Sequence, residues 1–285
     1  MTPTPDPVAA HGRSDRTQLA LLATRHPAGA RLGRLLGRGE VGVVGGLALG
    51  LRFPARALPP GHAHTRQLLR GELEVPVQEA LRRTLPPGGT LWDVGANVGF
   101  FALLGARLAG PDGRVIAWEP VGAVAAHARE AALRSGLDAR VEVRAEAVGA
   151  RSGEEELLVA GDASWSHLAS RGNAAGMARK RVAVTTLDAA LAAGAAPPDV
   201  VKLDVEGSEG DVLLGAQRLL AEHGPALIIE LHGTAAVVCD LLEAAGYAAE
   251  RLDAAAAPRE APPHAHLLAR PHRRRDGIGS RGAPI

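Results

Sequence analysis

Apolar runs of strand length alternate with segments of helical periodicity from residue 90 to residue 245. This alternation is typical of a parallel sheet that helices cover on both faces. We therefore predict a doubly wound α/β fold with a mostly parallel central sheet. The predicted strands are 91–94, 114–118, 141–148, 200–203 and 226–231, and the predicted helices are 98–109, 121–135, 208–222 and 234–245.

Further elements are predicted around this alternating core. Residues 155–159 and 181–185 have strand patterns on either side of a long loop, 161–176, which is a candidate lid. Trp165 in this loop is suited equally to stacking on a sugar face and to packing against the sheet. Residues 247–252 and 266–269 are predicted to form a terminal hairpin.

The region before the core predicts a smaller N-terminal unit. Residues 41–53 have the pattern of a strand or hairpin that turns at Gly45 and Gly46, and residues 73–85 carry a helical apolar stripe. The predicted organisation is a flexible arm at 1–39, a hairpin and helix at 40–89, a core domain at 90–270 and a basic tail at 271–285.

Composition limits the possible partners. Apolar residues make up 46% of the chain and aromatic residues 2%, so Ala, Leu and Val must fill the core. The formal net charge of +1 gives no reason to expect nucleic acid or an anionic membrane as a partner.

A single cysteine, Cys239, excludes an internal disulfide and suits a reducing compartment. With neither a secretory signal pattern nor a membrane-spanning stretch in the sequence, we expect a soluble, cytoplasmic protein.

The most informative segment is the turn Asp93-Val94-Gly95-Ala96-Asn97-Val98-Gly99. A tight glycine turn between a strand and a helix is how a doubly wound sheet forms a nucleoside pocket. Asp93 would repel a pyrophosphate but accepts hydrogen bonds from an ammonium or hydroxyl group, so a cationic nucleoside such as S-adenosylmethionine is favoured. Glu119, at the end of the next predicted strand, is spaced to accept hydrogen bonds from ribose hydroxyls.

Simpler structural roles for the same turn remain open. Gly95 and Gly99 can serve only to turn a strand sharply into a helix. Asn97 can be the N-cap residue of the helix 98–109, a role that does not exclude contact with a ligand.

Charged residues crowd the end of the predicted strand 200–203. The sequence there is Lys202-Leu203-Asp204-Val205-Glu206-Gly207-Ser208-Glu209. Because the carboxyl ends of strands face the ligand crevice in open α/β sheets, Asp204 is the leading candidate for a catalytic carboxylate and Glu206 the next. Glu209 also suits the first turn of a helix, and Lys202 needs a carboxylate partner if it is buried.

A third polar group follows the predicted strand 226–231, in the sequence Glu230-Leu231-His232. Histidine titrates near neutral pH, so His232 is a candidate base for a hydroxyl proton, although a capping or solvent-facing histidine is an open alternative. A metal site built from Asp204, Glu206 and His232 matches no dedicated motif, and the other histidines show no ligand spacing. No metal is therefore predicted.

In these motifs the chain resembles the FkbM-type S-adenosylmethionine-dependent methyltransferases, over roughly residues 70–270. The matching segments occur in the family's order: the turn 93–99, Trp118-Glu119-Pro120, Ala147-Val148-Gly149, Thr186-Leu187-Asp188, the run 202–209 and Glu230-Leu231-His232. The Lys-x-Asp-x-Glu-Gly-x-Glu string at 202–209 is the specific part. Trp118 departs from the Phe that is common in the family, and the segment 72–75 lacks the aromatic residue often seen there.

The resemblance implies a Rossmann-like class I methyltransferase fold with a reversed last strand and S-adenosylmethionine as the cofactor, which makes 90–270 the cofactor-binding domain. It implies methyl transfer, usually to an oxygen of a sugar or natural product. The implied cofactor contacts are Gly95, Asn97 and Gly99 with the methionine part, Glu119 with the ribose, and Glu146 or Ala147 with the adenine.

The leading hypothesis is thus an O-methyltransferase acting on a small-molecule or glycan acceptor. Asp204 or His232 would orient and deprotonate the acceptor hydroxyl, with Glu206 as a further candidate. A nicotinamide-dependent oxidoreductase is disfavoured because the three-glycine dinucleotide turn is absent. A nucleoside-binding scaffold without catalysis stays open, because a fold and a pocket do not prove turnover.

Overall fold

The computed structural model describes residues 39–59, 61–159, 166–168 and 178–272. The predicted arm before residue 39, most of the candidate lid with Trp165, and the tail after residue 272 lie outside the described residues. The predictions for those segments therefore remain predictions.

The strands and helices alternate along the chain as the hydrophobic pattern predicts. The strands are β1 (Glu40–Gly42), β2 (Arg52–Pro54), β3 (Thr90–Val94), β4 (Arg114–Trp118), β5 (Val141–Arg144), β6 (Ala147–Val148), β7 (Gly153–Val159), β8 (Ser166–Leu168), β9 (Ala178–Thr185), β10 (Val200–Leu203), β11 (Ala226–Glu230), β12 (Tyr247–Arg251) and β13 (His266–Pro271). The α-helices are α1 (Ala63–Arg70), α2 (Val75–Thr84), α3 (Phe100–Ala109), α4 (Gly122–Arg134), α5 (Leu187–Ala192), α6 (Glu209–Leu214), α7 (Gln217–Glu222) and α8 (Ala235–Ala244).

The central sheet contains seven strands in the order β12-β13-β11-β10-β3-β4-β5. The strands from β11 to β5 pair in parallel, and β13 is antiparallel to both of its neighbours. The mostly parallel sheet, the terminal hairpin and the reversed last strand are therefore confirmed. A second sheet, in the order β6-β9-β7-β8, contains the added strands that the sequence predicted.

Hydrophobic cores cover both faces of the central sheet because successive strand residues point to opposite sides. Leu91 of β3 packs in the core with α3 and α4, whereas the next residue, Trp92, packs in the core with α6 and α8. On β10, Val200 likewise packs in the first of these cores and Val201 in the second. Helices on both faces are therefore confirmed.

The N-terminal unit packs on the α3 side of the sheet. The predicted hairpin is present, since β1 and β2 pair antiparallel, but Gly45 and Gly46 do not form a two-residue turn. They lie against the end of α1 instead: a Cβ on Gly71 would be 2.0 Å from the Gly45 carbonyl oxygen. The predicted helix 73–85 is α2, and α1 was not predicted.

The predicted helix 208–222 is wrong as a single element, because the chain forms two short helices, α6 and α7. The Asp188 carboxylate accepts hydrogen bonds from the backbone N–H groups of Arg218 and Leu219, at 3.0 and 2.8 Å. A carboxylate that satisfies the free N–H groups of a first turn favours a new helix start there. The break follows from this long-range cap.

Two other predicted boundaries are corrected. The predicted strand 141–148 divides into β5 in the central sheet and β6 in the second sheet. The predicted helix 98–109 begins at Phe100 with Gly99 as its N-cap, so the interpretation of Asn97 as the N-cap residue is wrong.

None of the helices in the described part of the chain combines the length and the apolar composition that crossing a bilayer requires.

Candidate active site

Polar side chains replace apolar ones at the carboxyl edge of the central sheet, on the face that α1 to α4 cover. Along β10 and its exit the polar positions are Lys202 and Asp204, and along β11 and its exit they are Glu230 and His232. The register places Lys202 beside Asp93 of β3, and Glu230 beside His266 of β13. Since residues two apart share a face, one edge of the sheet collects the charges of four strands.

The glycine turn lies directly against the exit of β10. Gly95 has a φ of +81°, and a Cβ at this position would lie 1.8 Å from the Asp204 carbonyl oxygen. Only glycine therefore permits the two backbones to approach this closely. The turn and Asp204 form one structural unit.

Glu119, which directly follows β4, stabilises the same turn through hydrogen bonds. Its carboxylate accepts hydrogen bonds from the backbone N–H groups of Asn97, at 3.0 Å, and Val121, at 2.8 Å. Burial, only partly offset by these two hydrogen bonds, raises the pKa of Glu119 to about 7. The proximity of Glu119 to the turn is thus observed, and its contact with a ribose remains a prediction.

Lys202 is a buried cation between two carboxylates. Its Nζ lies 3.0 Å from Asp204 Oδ2 and 3.9 Å from Asp93 Oδ1. Burial disfavours the ammonium, but the charges of Asp204, Asp93 and Glu74 outweigh it and raise the pKa of Lys202. Asp93 is fully buried, and burial raises its pKa to about 6 despite Lys202. The expected carboxylate partner of a buried lysine is present.

His232 lies among four carboxylates. Its Nδ1 is 2.8 Å from Oε1 of the fully buried Glu209, while its Nε2 is 3.5 Å from Glu206 Oε2, 3.5 Å from Glu230 Oε1 and 3.9 Å from Asp204 Oδ1. The three residues predicted to be catalytic, Asp204, Glu206 and His232, are therefore brought together.

The charges around His232 set its protonation. Burial disfavours the imidazolium, but the hydrogen bond to Glu209 and the charges of Glu206 and Asp204 outweigh burial and raise the pKa of His232 to about 9. Burial also raises the pKa of Glu206, to about 7, although His232 lowers it. With this protonation His232 donates to its neighbours at neutral pH, and the carboxylates are the groups that can accept a proton.

Two more histidines extend the cluster: His266, the first residue of β13, and His264, two residues before it. His264 Nδ1 lies 3.1 Å from Glu230 Oε1, and the His264 and His232 rings meet edge to face with centroids 5.1 Å apart. His266 Nε2 lies 3.3 Å from Glu74 Oε2. Glu74 comes from the segment before α2, so the N-terminal unit contributes directly to the site.

These groups line a cavity of about 520 Å³ between the sheet edge and the N-terminal unit. Its floor is apolar, formed by Leu58, Leu68, Phe100 and Phe101 among others. Non-glycine residues with positive φ store backbone strain, which concentrates at functional sites. All such residues in the described chain line this cavity: Glu74 (φ 44°), Asn97 (φ 51°), Glu206 (φ 50°) and His264 (φ 65°).

The cavity contains only part of the predicted set. Gly95, Asn97, Asp204, Glu206 and His232 line it. The other predicted cofactor residues do not line it: Asp93, Gly99, Glu119, Glu146 and Ala147. Gly99 has a packing role, because a Cβ there would be 3.1 Å from the Ala128 Cβ.

Sequence reasoning assigned no role in the site to Glu74, Glu230, His264 or His266. A signal for the two histidines is visible in retrospect. Because the predicted last strand runs antiparallel, it begins at the edge where the parallel strands end, so a polar i, i+2 pair at its start belongs to the same site. No comparable signal marks Glu74, which precedes the core and is brought in by tertiary packing.

The sheet order and the glycine turn together define the class I methyltransferase fold. The family model described as the Methyltransferase FkbM domain matches residues 93–249, which is more than half of the 285-residue chain. The chain therefore belongs to the FkbM methyltransferase family, and the resemblance found in its motifs is confirmed. No protein of curated function matches it.

Several solved structures are similar to this chain at low sequence identity. A methyltransferase FkbM from Methylobacillus flagellatus KT is 18% identical with a TM-score of 0.43, and the match covers 72% of this chain and 53% of that one. An S-adenosylmethionine-dependent O-methyltransferase from Thermotoga maritima is 15% identical with a TM-score of 0.43, covering 72% and 67%. A cofactor-bound protein from MTB is 18% identical with a TM-score of 0.44, covering 95% and 98%. The chain spans about half the length of the Methylobacillus flagellatus protein.

Removing the glycine at the centre of the turn tests its close approach to β10. We predict that Gly95→Ala lowers the free energy of unfolding by about 3 kcal/mol or more, because the new Cβ collides with the Asp204 backbone. Gly136→Ala is the matched control, since Gly136 also has positive φ, at +66°, but no atom lies within 4 Å of its added Cβ. Gly136→Ala should lower the free energy of unfolding by only about 1 kcal/mol, which is the cost of placing an alanine at positive φ. Equal losses in urea unfolding would contradict the account of the turn.

Proposed function

We propose that this chain is an S-adenosylmethionine-dependent O-methyltransferase that methylates a hydroxyl group of a sugar or natural product. The observation that carries the proposal is the cavity itself, in which the glycine turn and the polar exits of β10 and β11 meet. A turn suited to a nucleoside and groups able to accept a proton are thus within one enclosed space.

The chemistry of the site suits the proposed cofactor. Three carboxylates line the cavity beside the cations Lys202 and His232, and they would accept hydrogen bonds from the ammonium group of the cofactor: Asp204, Glu206 and Glu230. Gly95 and Asn97, which line the cavity, would contact its methionine part, and Glu119 would contact the ribose. When bound, the cofactor supplies an electrophilic methyl group on a positively charged sulfur.

Asp204 is the residue that we favour as the base. The Lys202 Nζ lies 3.0 Å from Asp204 Oδ2 and so fixes the Asp204 carboxylate. The other oxygen, Asp204 Oδ1, is directed towards His232 Nε2. Asp204 would orient the acceptor hydroxyl and take its proton as the new carbon–oxygen bond forms and the carbon–sulfur bond breaks. Alignment of the acceptor contributes more than the base, because methyl transfer is an in-line displacement. Glu206 would receive the proton afterwards, since its carboxylate and that of Asp204 both lie within 3.9 Å of His232 Nε2.

The apolar floor has a separate role in this proposal. Phe101 lies under the Lys202 ammonium, with 4.8 Å between Nζ and the ring centroid, and Phe100 packs edge to face on Phe101. Apolar walls limit the access of water, and a drier site strengthens the electrostatic contacts of the carboxylates.

Methyl transfer to a panel of hydroxylated acceptors tests the function. We expect the protein, incubated with isotope-labelled S-adenosylmethionine and a set of glycans and polyketides, to transfer the label to an oxygen of at least one acceptor. Mass spectrometry of the products identifies the acceptor and the methylated atom. Asp204→Asn should lower the rate by about 10²–10⁴-fold, the usual contribution of a base.

Cofactor affinity separates a catalytic loss from a binding loss. By calorimetry, Asp204→Asn should keep the Kd for S-adenosylmethionine within a few-fold of the unaltered protein. If the unaltered protein binds the cofactor but labels no acceptor of the panel, the scaffold alternative is supported. If it binds a nicotinamide dinucleotide instead, the oxidoreductase alternative is supported. Full turnover by Asp204→Asn would overturn the choice of base.

The affinity for S-adenosylmethionine should depend on pH through Glu119. Ribose hydroxyls donate to the ionised carboxylate, and burial raises the pKa of Glu119 to about 7, so the protonated form persists almost to neutrality. The Kd should therefore be constant above pH 7 and rise by up to about tenfold per pH unit below it.

Glu119→Gln is the control for this pH dependence, because its side chain does not titrate. Other groups, such as Glu206, titrate in both proteins, so the quantity to compare is the difference between the two slopes from pH 5.5 to pH 8. Parallel profiles would exclude Glu119 from ribose binding.

A further inference from the structure

Two imidazoles and a carboxylate converge at one point of the cavity wall. His264 Nδ1 and His232 Nε2 lie 3.1 and 3.5 Å from the same atom, Glu230 Oε1. One ligand atom from each of these three side chains lies within 4.8 Å of the other two. The residues come from the ends of β11 and the start of β13, which pair in the sheet.

These separations match the spacing of ligands around a metal ion. Metal–nitrogen and metal–oxygen bonds of about 2.0–2.2 Å leave neighbouring ligand atoms about 3.0–3.5 Å apart in octahedral or tetrahedral geometry. Glu206 Oε2, 3.5 Å from His232 Nε2, is within reach as a fourth ligand. Because the three ligand atoms all lie within 4.8 Å of one another, side-chain rotation would bring them onto one ion.

The surroundings of His232 hold it in the orientation that a metal ligand requires. Metal-binding histidines usually donate the second ring N–H to a carboxylate, which fixes the ring and its tautomer. Here Glu209, fully buried, accepts from His232 Nδ1 at 2.8 Å. Thr234 Oγ1 and the Gly207 backbone N–H in turn donate to Glu209, at 2.7 and 3.0 Å. Nε2 is therefore directed at Glu230 by groups outside the three-residue set.

We propose that Glu230, His232 and His264 bind one divalent transition-metal ion, such as Mn²⁺, Co²⁺ or Zn²⁺. Two nitrogen ligands favour these ions over Mg²⁺ and Ca²⁺, which prefer oxygen ligands alone. Two other clusters, Asp204 with Glu206 and His232, and Glu74 with Glu230 and His266, also have convergent ligand atoms, but each provides only one imidazole. The binding does not depend on the proposed methyl transfer.

Titration of the chelator-treated, full-length protein with Co²⁺ tests the site without cofactor or acceptor. We expect one ion per chain, and a visible absorption spectrum typical of mixed nitrogen and oxygen ligands. His264→Gln should weaken binding by at least about tenfold, and because the His264 side chain is more than half exposed, this variant should fold. His62→Gln, which changes another histidine of the same cavity, should leave the affinity unchanged.

Glu209→Gln provides a second, independent readout. Loss of the carboxylate that orients His232 should weaken Co²⁺ binding by about 10–100-fold, as other outer carboxylates do. The proposal is overturned if the protein shows no stoichiometric binding with a Kd below about 1 mM. It is overturned equally if His264→Gln binds Co²⁺ as His62→Gln does. Neither result bears on whether the chain methylates a hydroxyl group.

Discussion

The buried ion pair of Lys202 with Asp93 and Asp204 is the interaction on which both the sheet and the site depend. Lys202 and Asp93 are register partners on neighbouring parallel strands, and Asp204 lies two residues beyond Lys202 on the same face. Removing one partner of a buried pair leaves an uncompensated charge, which costs several kcal/mol. The strands that carry these residues are therefore held in a register that also fixes the site.

The composition of the site follows from that register. The strands β3, β10 and β11 are apolar where they pass through the two cores and become polar at their carboxyl ends, whereas the antiparallel β13 is polar at its start. A lone charge there would be unfavourable, but β3, β10, β11 and β13 bring charges of both signs together. Glu209 and Glu119 then fix the directions of His232 and of the glycine turn through buried hydrogen bonds. His232 and the glycine turn are therefore oriented before any ligand binds, as in a preorganised site.

The sequence was sufficient for the sheet, the glycine turn and part of the site, because these depend on local patterns. Apolar residues recur with different periods in strands and in helices, so the sequence pattern distinguishes the two. The tight turn has a positive φ at position 95, which favours glycine there. The division of the predicted helix 208–222 was not predictable in this way, since its cause is a cap from Asp188, about thirty residues away. Glu74 was missed for the same reason, because its place in the site depends on how the N-terminal unit packs on the sheet.

The most direct test of this account compares the chain's two lysines, Lys180 and Lys202. Lys202 is buried, and Lys180 is exposed on β9. In urea unfolding at pH 8, where Asp93, with its pKa of about 6, is ionised, Lys202→Met should lower the unfolding free energy by about 3–5 kcal/mol. Lys180→Met should change it by no more than about 0.5 kcal/mol. Equal, small effects of the two substitutions would show that the buried pair does not hold the sheet and the site together.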